Sequence, residues 1–86
     1  MKLGQSFNLV CTYLRCYGLE QLNEELESGS LPPNVQTAIA NLLWLMGYYP
    51  TQYEYIKEDI ANGTLPDGVK ERLLFIVSHF RSYDEP

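Results

Sequence analysis

The chain has 86 residues, of which 45% are apolar, and its formal net charge is −5. This length predicts a single domain, 1–86, with a modest core, and the apolar content excludes intrinsic disorder except in the last few residues. The six basic residues are scattered among eleven acidic ones, so direct binding to nucleic acid, which needs clustered cations, is not expected.

The first predicted element is an N-terminal helix over residues 1–18, which Gly18 ends. Its main apolar stripe alternates steps of four and three residues and consists of Leu3, Phe7, Val10, Leu14 and Tyr17. A second stripe, displaced by about half a turn, contains Leu9, Tyr13 and Cys16. A helix that is apolar on more than one side is expected either to lie inside the bundle or to face a partner.

The rest of the chain reads as two copies of one helix-turn-helix unit, residues 19–49 and 53–83. A shift of 34 positions superposes Gly29 on Gly63, Leu31-Pro32 on Leu65-Pro66 and Val35 on Val69. An internal repeat is a strong guide to architecture. Together with the N-terminal helix, it predicts an all-α fold: a small five-helix bundle that contains a tandem repeat with a 34-residue offset.

Each repeat should contain a short amphipathic helix that ends at a glycine, followed by a longer helix that begins at a proline. The predicted buried stripe of the first repeat is Leu19, Leu22, Leu26, Val35, Ile39, Leu42 and Met46. The matching stripe of the second repeat is Tyr53, Ile56, Ile60, Val69, Leu73, Ile76 and Phe80.

Several apolar residues lie outside these stripes, and five short helices can hardly cover them all. Because burial of one large apolar side chain is worth about 1.5 to 3 kcal/mol, the surplus predicts a homo-oligomer, either a dimer or a tetramer. The candidate interface residues are Leu9, Tyr13, Leu43, Leu45, Leu74, Phe75 and Val77.

A negative region is predicted because no Lys or Arg occurs between Arg15 and Lys57. Glu20, Glu24 and Glu27 belong to this stretch and share one face of a helix. These acids form either a solvated surface or an electrostatic docking face for a basic protein.

Aromatic residues are concentrated around Pro50, at the junction between the repeats. Trp44, Tyr48, Tyr49 and Tyr55 form either a corner packed within the monomer or a surface that recognises a partner. Tyr53 is assigned to the core, because its counterpart in the first repeat is Leu19. Tyr49 and Tyr83 are equivalent and are expected to close each helix pair.

No residue pattern indicates catalysis, a metal site or a cofactor. The single histidine, His79, is expected to be a partly buried or surface residue of a helix. Cys11 and Cys16 lie on different sides of one helix, so they are expected to be reduced and packed thiols. Without a recognisable signal segment or a long apolar span, the chain is expected to be cytoplasmic and not bound to a membrane.

These observations predict a non-enzymatic protein–protein interaction module. The expected type is a small acidic regulatory antagonist, such as an antirepressor or inhibitor, that sequesters another protein, for example a DNA-binding regulator. Two alternatives are an inhibitor that mimics DNA with its carboxylates and a regulator that binds a small molecule between its helices.

Overall fold

The computed structural model describes the backbone of residues 3–48 and 52–84 and the side chains of residues 4–48 and 52–79. Within these ranges the chain is helical, without a strand, and its helices are α1 (Leu3–Tyr17), α2 (Leu19–Ser28), α3 (Pro33–Leu45), α4 (Tyr53–Asn62) and α5 (Asp67–Asp84). The predicted all-α five-helix bundle is therefore confirmed. No helix in the described part of the chain is both long enough and apolar enough to cross a bilayer.

The turns that follow α2 and α4 have the same geometry. Gly29 and Gly63 adopt left-handed backbone angles, with φ of 71° and 69°, where residues with a Cβ are disfavoured. The next amide reaches back to the helix in both turns: Ser30 N–H donates to the Glu25 carbonyl at 3.1 Å, and Thr64 N–H donates to that of Asp59 at 2.9 Å. The same closing hydrogen bond therefore recurs 34 residues later.

The two glycine turns also touch each other. A Cβ atom on Gly29 would lie 2.1 Å from the carbonyl oxygen of Ala61, and one on Gly63 would lie 2.1 Å from that of Glu27. Glu27 and Ala61 are themselves 34 positions apart, so the contact is reciprocal. Both positions need glycine for two reasons, since a side chain would be strained by its φ and would also collide with the opposite backbone.

The core lies where the two hairpins and α1 meet. Helix α1 packs against α2, α3 and α5, and it buries Val10 and Leu14. The N-terminal helix therefore lies inside the monomer. Its contact with α3 also contains a polar link, because the amide nitrogen of Asn41 donates to the buried Ser6 hydroxyl at 2.8 Å.

Several members of the predicted stripes are less buried than expected, among them Leu19, Met46, Tyr53 and Val69, which are half-buried. Tyr17, the last residue of α1, is 64% exposed. Ile76 is only half-buried, whereas its counterpart Leu42 is fully buried. The predicted roles of Leu3, Tyr49, Phe80 and Tyr83 fall outside the described side chains.

Candidate functional site

An open groove lies on the surface between the C-terminal half of α1 and the beginning of α3. It encloses about 280 Å³. Its walls are Leu9, Thr12, Tyr13, Cys16 and Tyr17 from α1, together with Pro32, Asn34 and Val35 from the start of α3. The helices run antiparallel here, since Ser6 contacts Asn41 near one end while Tyr17 lies beside Pro32 at the other.

Tyr13 connects this groove to α2. Its ring forms part of the wall and lies 4.9 Å, centroid to centroid, from the ring of Tyr17. Its hydroxyl donates a short hydrogen bond to a carboxylate oxygen of Glu25, and the other oxygen of that carboxylate accepts from the Gln21 amide at 3.2 Å. Burial, reinforced by the hydrogen bond to Glu25, raises the pKa of the Tyr13 hydroxyl well above its ordinary value. Tyr13 is therefore a neutral donor at physiological pH.

Helix α2 presents Glu20, Glu24 and Glu27 to solvent, as the predicted negative face requires. These three acids are not equivalent, because Glu27 accepts a hydrogen bond from the Lys70 ammonium at 2.8 Å. This bond and the charge of Glu27 raise the pKa of Lys70. Glu27 therefore links α2 to α5, whereas neither Glu20 nor Glu24 forms an ion pair with another described residue.

The aromatic residues near the repeat junction do not form one surface. Trp44 and Tyr53 meet edge to face at 6.5 Å, and the Lys57 ammonium lies 5.9 Å from the Tyr53 ring. Tyr53 is half-buried against the core, as its repeat position suggested, while Tyr55 is 60% exposed two residues later. Positions two apart on a helix point in nearly opposite directions, so Tyr55 is separated from the Trp44–Tyr53 pair.

Tyr48 occupies a third environment. Its ring is half-buried and lies 5.7 Å from the Arg72 guanidinium, and its hydroxyl has no hydrogen-bond partner among the described residues. Tyr49, the remaining candidate of this cluster, lies outside the described residues. The described members of the predicted recognition surface thus lie in three different environments.

Three of the seven predicted interface residues are buried within the monomer, which corrects their assignment to the surface. They are Tyr13, Leu43 and Val77. Leu9 and Leu74 are half-buried and pack against the core. Only Leu45 and Phe75 of this set are exposed. The surplus of uncovered apolar surface is therefore smaller than the pattern indicated.

His79 and the cysteines show no convergent chemistry. His79 is exposed and stacks on Phe75, with ring centroids 6.1 Å apart. Both cysteines are thiols, but Cys16 is exposed in the groove, so the prediction of a packed thiol holds only for Cys11. Among the described residues, no three His, Cys, Asp or Glu side chains converge in a way that could hold a metal ion.

The groove itself was missed by the interpretation of the sequence. The second stripe of α1 did indicate one wall, since it contains Leu9, Tyr13 and Cys16. The opposite wall comes from Pro32, Asn34 and Val35, of which the pattern marked Pro32 as the start of a helix and Val35 as part of the buried stripe. Only the antiparallel packing of α1 on α3 brings the two walls together.

Comparison with protein-family models, with curated proteins and with solved structures finds no significant match for this chain. Functional inference therefore depends on the geometry described above.

Proposed function

We propose that this chain is a non-enzymatic protein–protein interaction module that binds and sequesters another protein, in the manner of a small regulatory antagonist. The observation that supports this proposal best is the groove between α1 and α3. Its walls include Leu9, Tyr13, Tyr17 and Val35, and it is joined to the acidic helix α2 through the Tyr13–Glu25 hydrogen bond. Aromatic and apolar side chains in a concave surface are typical anchors of protein interfaces.

The proposed antagonist role depends on the partner being a basic protein. An acidic surface attracts and orients basic proteins, and many DNA-binding regulators are basic. A partner of that kind would be held away from its own target while this chain covers it. We propose that this interaction takes place in the cytoplasm, and two thiols, one of them exposed, are compatible with such a reducing compartment.

The test is capture of the native partner from the host, with a matched pair of variants. Thr12 is exposed and lines the groove, whereas Asn8 is exposed one turn earlier and does not line it. We expect Thr12→Arg to abolish retention of the partner and Asn8→Arg to retain it. Helical circular dichroism should be unchanged in both variants. Loss of the partner with both variants, or with neither, would contradict binding at the groove.

We further propose that the chain self-associates through the apolar residues that remain uncovered, chiefly Leu45 and Phe75. Burial of an aromatic ring that is largely exposed in the monomer favours association. Sedimentation velocity at low micromolar concentration should show a species larger than the 9.9 kDa monomer, and Phe75→Ser should shift it toward monomer. A wild-type protein that sediments as a monomer would refute this second proposal and leave the first intact.

A further inference from the structure

The groove has the shape of a binding site for one additional helix. Its two walls are antiparallel helices, and a third helix packs naturally along such a pair with its side-chain ridges in the shared groove. On α1 the wall extends from Leu9 to Tyr17, which corresponds to about 12 Å, or two helical turns. An apolar stripe with residues at i, i+3 and i+4 has the spacing that fits this length. The described residues contain no strand whose edge could take up an extended peptide instead.

The charges beside the groove indicate which charge a bound segment should carry. Glu25 contacts the Tyr13 wall directly, and Glu24, the residue before it, is exposed to solvent. Glu20 lies close to Glu27 around the axis of α2, on the side that approaches α5, so it does not border the groove. No Lys or Arg occurs between Arg15 and Lys57, and Lys70, which approaches this helix from α5, is bonded to Glu27. Within the described residues no Lys or Arg forms an ion pair with Glu24 or Glu25, so a cation next to the groove would meet carboxylates whose charge is not neutralised.

We infer that the groove binds the apolar face of a basic amphipathic helix supplied by the partner protein. Its apolar stripe fills the groove between Leu9 and Val35, and its flanking Lys or Arg side chains lie over Glu24 and Glu25. This inference depends on the proposed interaction function, because it names the site and the chemistry of the partner that such a module would recognise. The apolar contact provides affinity, and the charges provide orientation and faster encounter.

The experiment uses defined peptides and the full-length protein. The probe is a fluorescent peptide of about 14 residues, or four helical turns, built from leucine and lysine with leucines at helical spacing. Two further peptides are controls: one has the same composition in shuffled order, and one has glutamate in place of lysine. We expect the amphipathic basic peptide to bind at least about tenfold more tightly than either control, as measured by fluorescence anisotropy.

Cys16 supplies a readout that reports position. This thiol is exposed in the groove, whereas Cys11 on the same helix is buried, so native alkylation should modify Cys16 first. We expect the bound peptide to slow alkylation of Cys16 by about fivefold or more at saturation, as measured by mass spectrometry. A peptide that binds without protecting Cys16 would overturn the groove as its site.

The charge assignment has a matched control within the repeat. Glu24 and Glu58 are 34 positions apart and both exposed, but Glu58 lies on α4, which contributes nothing to the groove. Glu24→Lys should weaken binding of the basic peptide by about fivefold, with most of the loss disappearing at high salt, and Glu58→Lys should leave it nearly unchanged. Equal effects would mean that the peptide senses only net charge and would overturn the inference.

Failure of the inference can be distinguished from failure of the proposed function. If a captured native partner is lost with Thr12→Arg but the basic peptide neither competes with it nor protects Cys16, the interaction function stands and the helix assignment is wrong. If the native host yields no partner whose retention depends on Thr12, the interaction function at this groove is itself refuted.

Discussion

The two hairpins, residues 19–45 and 53–84, bury equivalent positions but differ on their outer faces. Leu22 and Leu26 in the first correspond to Ile56 and Ile60 in the second, and all four are fully buried. The second helices of the two hairpins, α3 and α5, differ in how their equivalent positions are covered. Asn41 of α3 is half-buried and bonded to Ser6 of α1, whereas its counterpart Phe75 on α5 is 71% exposed.

The difference arises because a single helix, α1, packs against both of the similar hairpins. It lies against α3 along much of its length and also contacts α5, but the face of α5 that carries Phe75 stays uncovered. A repeat therefore determines turns and core positions in duplicate, while a single additional helix decides which equivalent surface meets solvent. The groove belongs to the first hairpin for the same reason, since α1 supplies one of its walls.

The largest expected effect is the loss of unfolding free energy in Leu42→Ala, which is compared with the loss in Ile76→Ala. Leu42 is 1% exposed and Ile76 is half-buried, although the two are equivalent in the repeat. Leu42→Ala should lower the free energy of unfolding by about 2 to 5 kcal/mol through loss of burial and formation of a cavity, and Ile76→Ala by about 1 to 2 kcal/mol. Urea denaturation measures both. Equal losses in a monomeric sample would contradict the asymmetry between the hairpins.

The contact between the glycine turns is tested by alanine substitution. Gly29→Ala and Gly63→Ala should each cost about 3 kcal/mol, because about 1 to 2 kcal/mol for the left-handed backbone adds to the collision with the opposite carbonyl. Gly47 is the control, since it has positive φ but open space around the missing Cβ. Its alanine variant should lose only about 1 to 2 kcal/mol. If all three losses were the same, the backbone contact would contribute nothing.

Removal of the Tyr13 hydroxyl tests whether Glu25 and its repeat counterpart Asp59 differ in the stability that their hydrogen bonds provide. Tyr13→Phe should cost about 1 to 2 kcal/mol at neutral pH, since a hydrogen bond to a carboxylate is lost from a buried donor. Among the described residues, the Asp59 carboxylate accepts a hydrogen bond only from the exposed Thr64 hydroxyl, at 3.3 Å, so Thr64→Val should have a smaller effect. Thermal unfolding of the two variants measures the difference, and the opposite ranking would contradict it.

Tyr13 also predicts a pH dependence. Its folded pKa is raised above the ordinary tyrosine value, so the folded state keeps this proton more tightly than the unfolded state. The resulting stability is fully present below about pH 10 and is lost as the pH rises from there toward the folded pKa. Wild-type protein should therefore lose stability in this alkaline window more steeply than Tyr13→Phe. Parallel pH profiles would show that Tyr13 does not carry the effect.

The smallest expected effect is a gain in the free energy of unfolding. Gly68 lies in the first turn of α5, its φ is not left-handed, and a Cβ added to it would have no neighbouring atom within 4 Å. Gly68→Ala should stabilise the protein by about 0.5 to 1 kcal/mol by restricting the unfolded chain. Its counterpart in the first hairpin, Asn34, lines the groove, so Asn34→Ala should change peptide binding whereas Gly68→Ala should not. A loss of stability in Gly68→Ala would contradict this assignment.

Local pattern was sufficient for the helices, their ends and much of the core. Helical spacing marked Leu22, Leu26 and Ile39 as buried, and the glycine and proline positions marked the turns, because these features depend on residues close in sequence. Side-chain burial at Leu43 and Val77 was not predictable in this way. The width of a buried face depends on how many neighbouring helices surround it, and the spacing within one helix does not contain that information.

What the amino-acid sequence by itself determined, then, is a duplicated helical hairpin preceded by an apolar helix, together with an acidic segment. These properties follow from periodicity, backbone preference and charge, all of which are local. Only the tertiary structure decided that α1 lies inside the monomer, that Tyr13 joins α1 to Glu25 and that Cys16 faces Val35 across a groove. Each of these depends on packing between residues far apart in the chain, where many arrangements satisfy the same apolar pattern and the fit of side chains selects one.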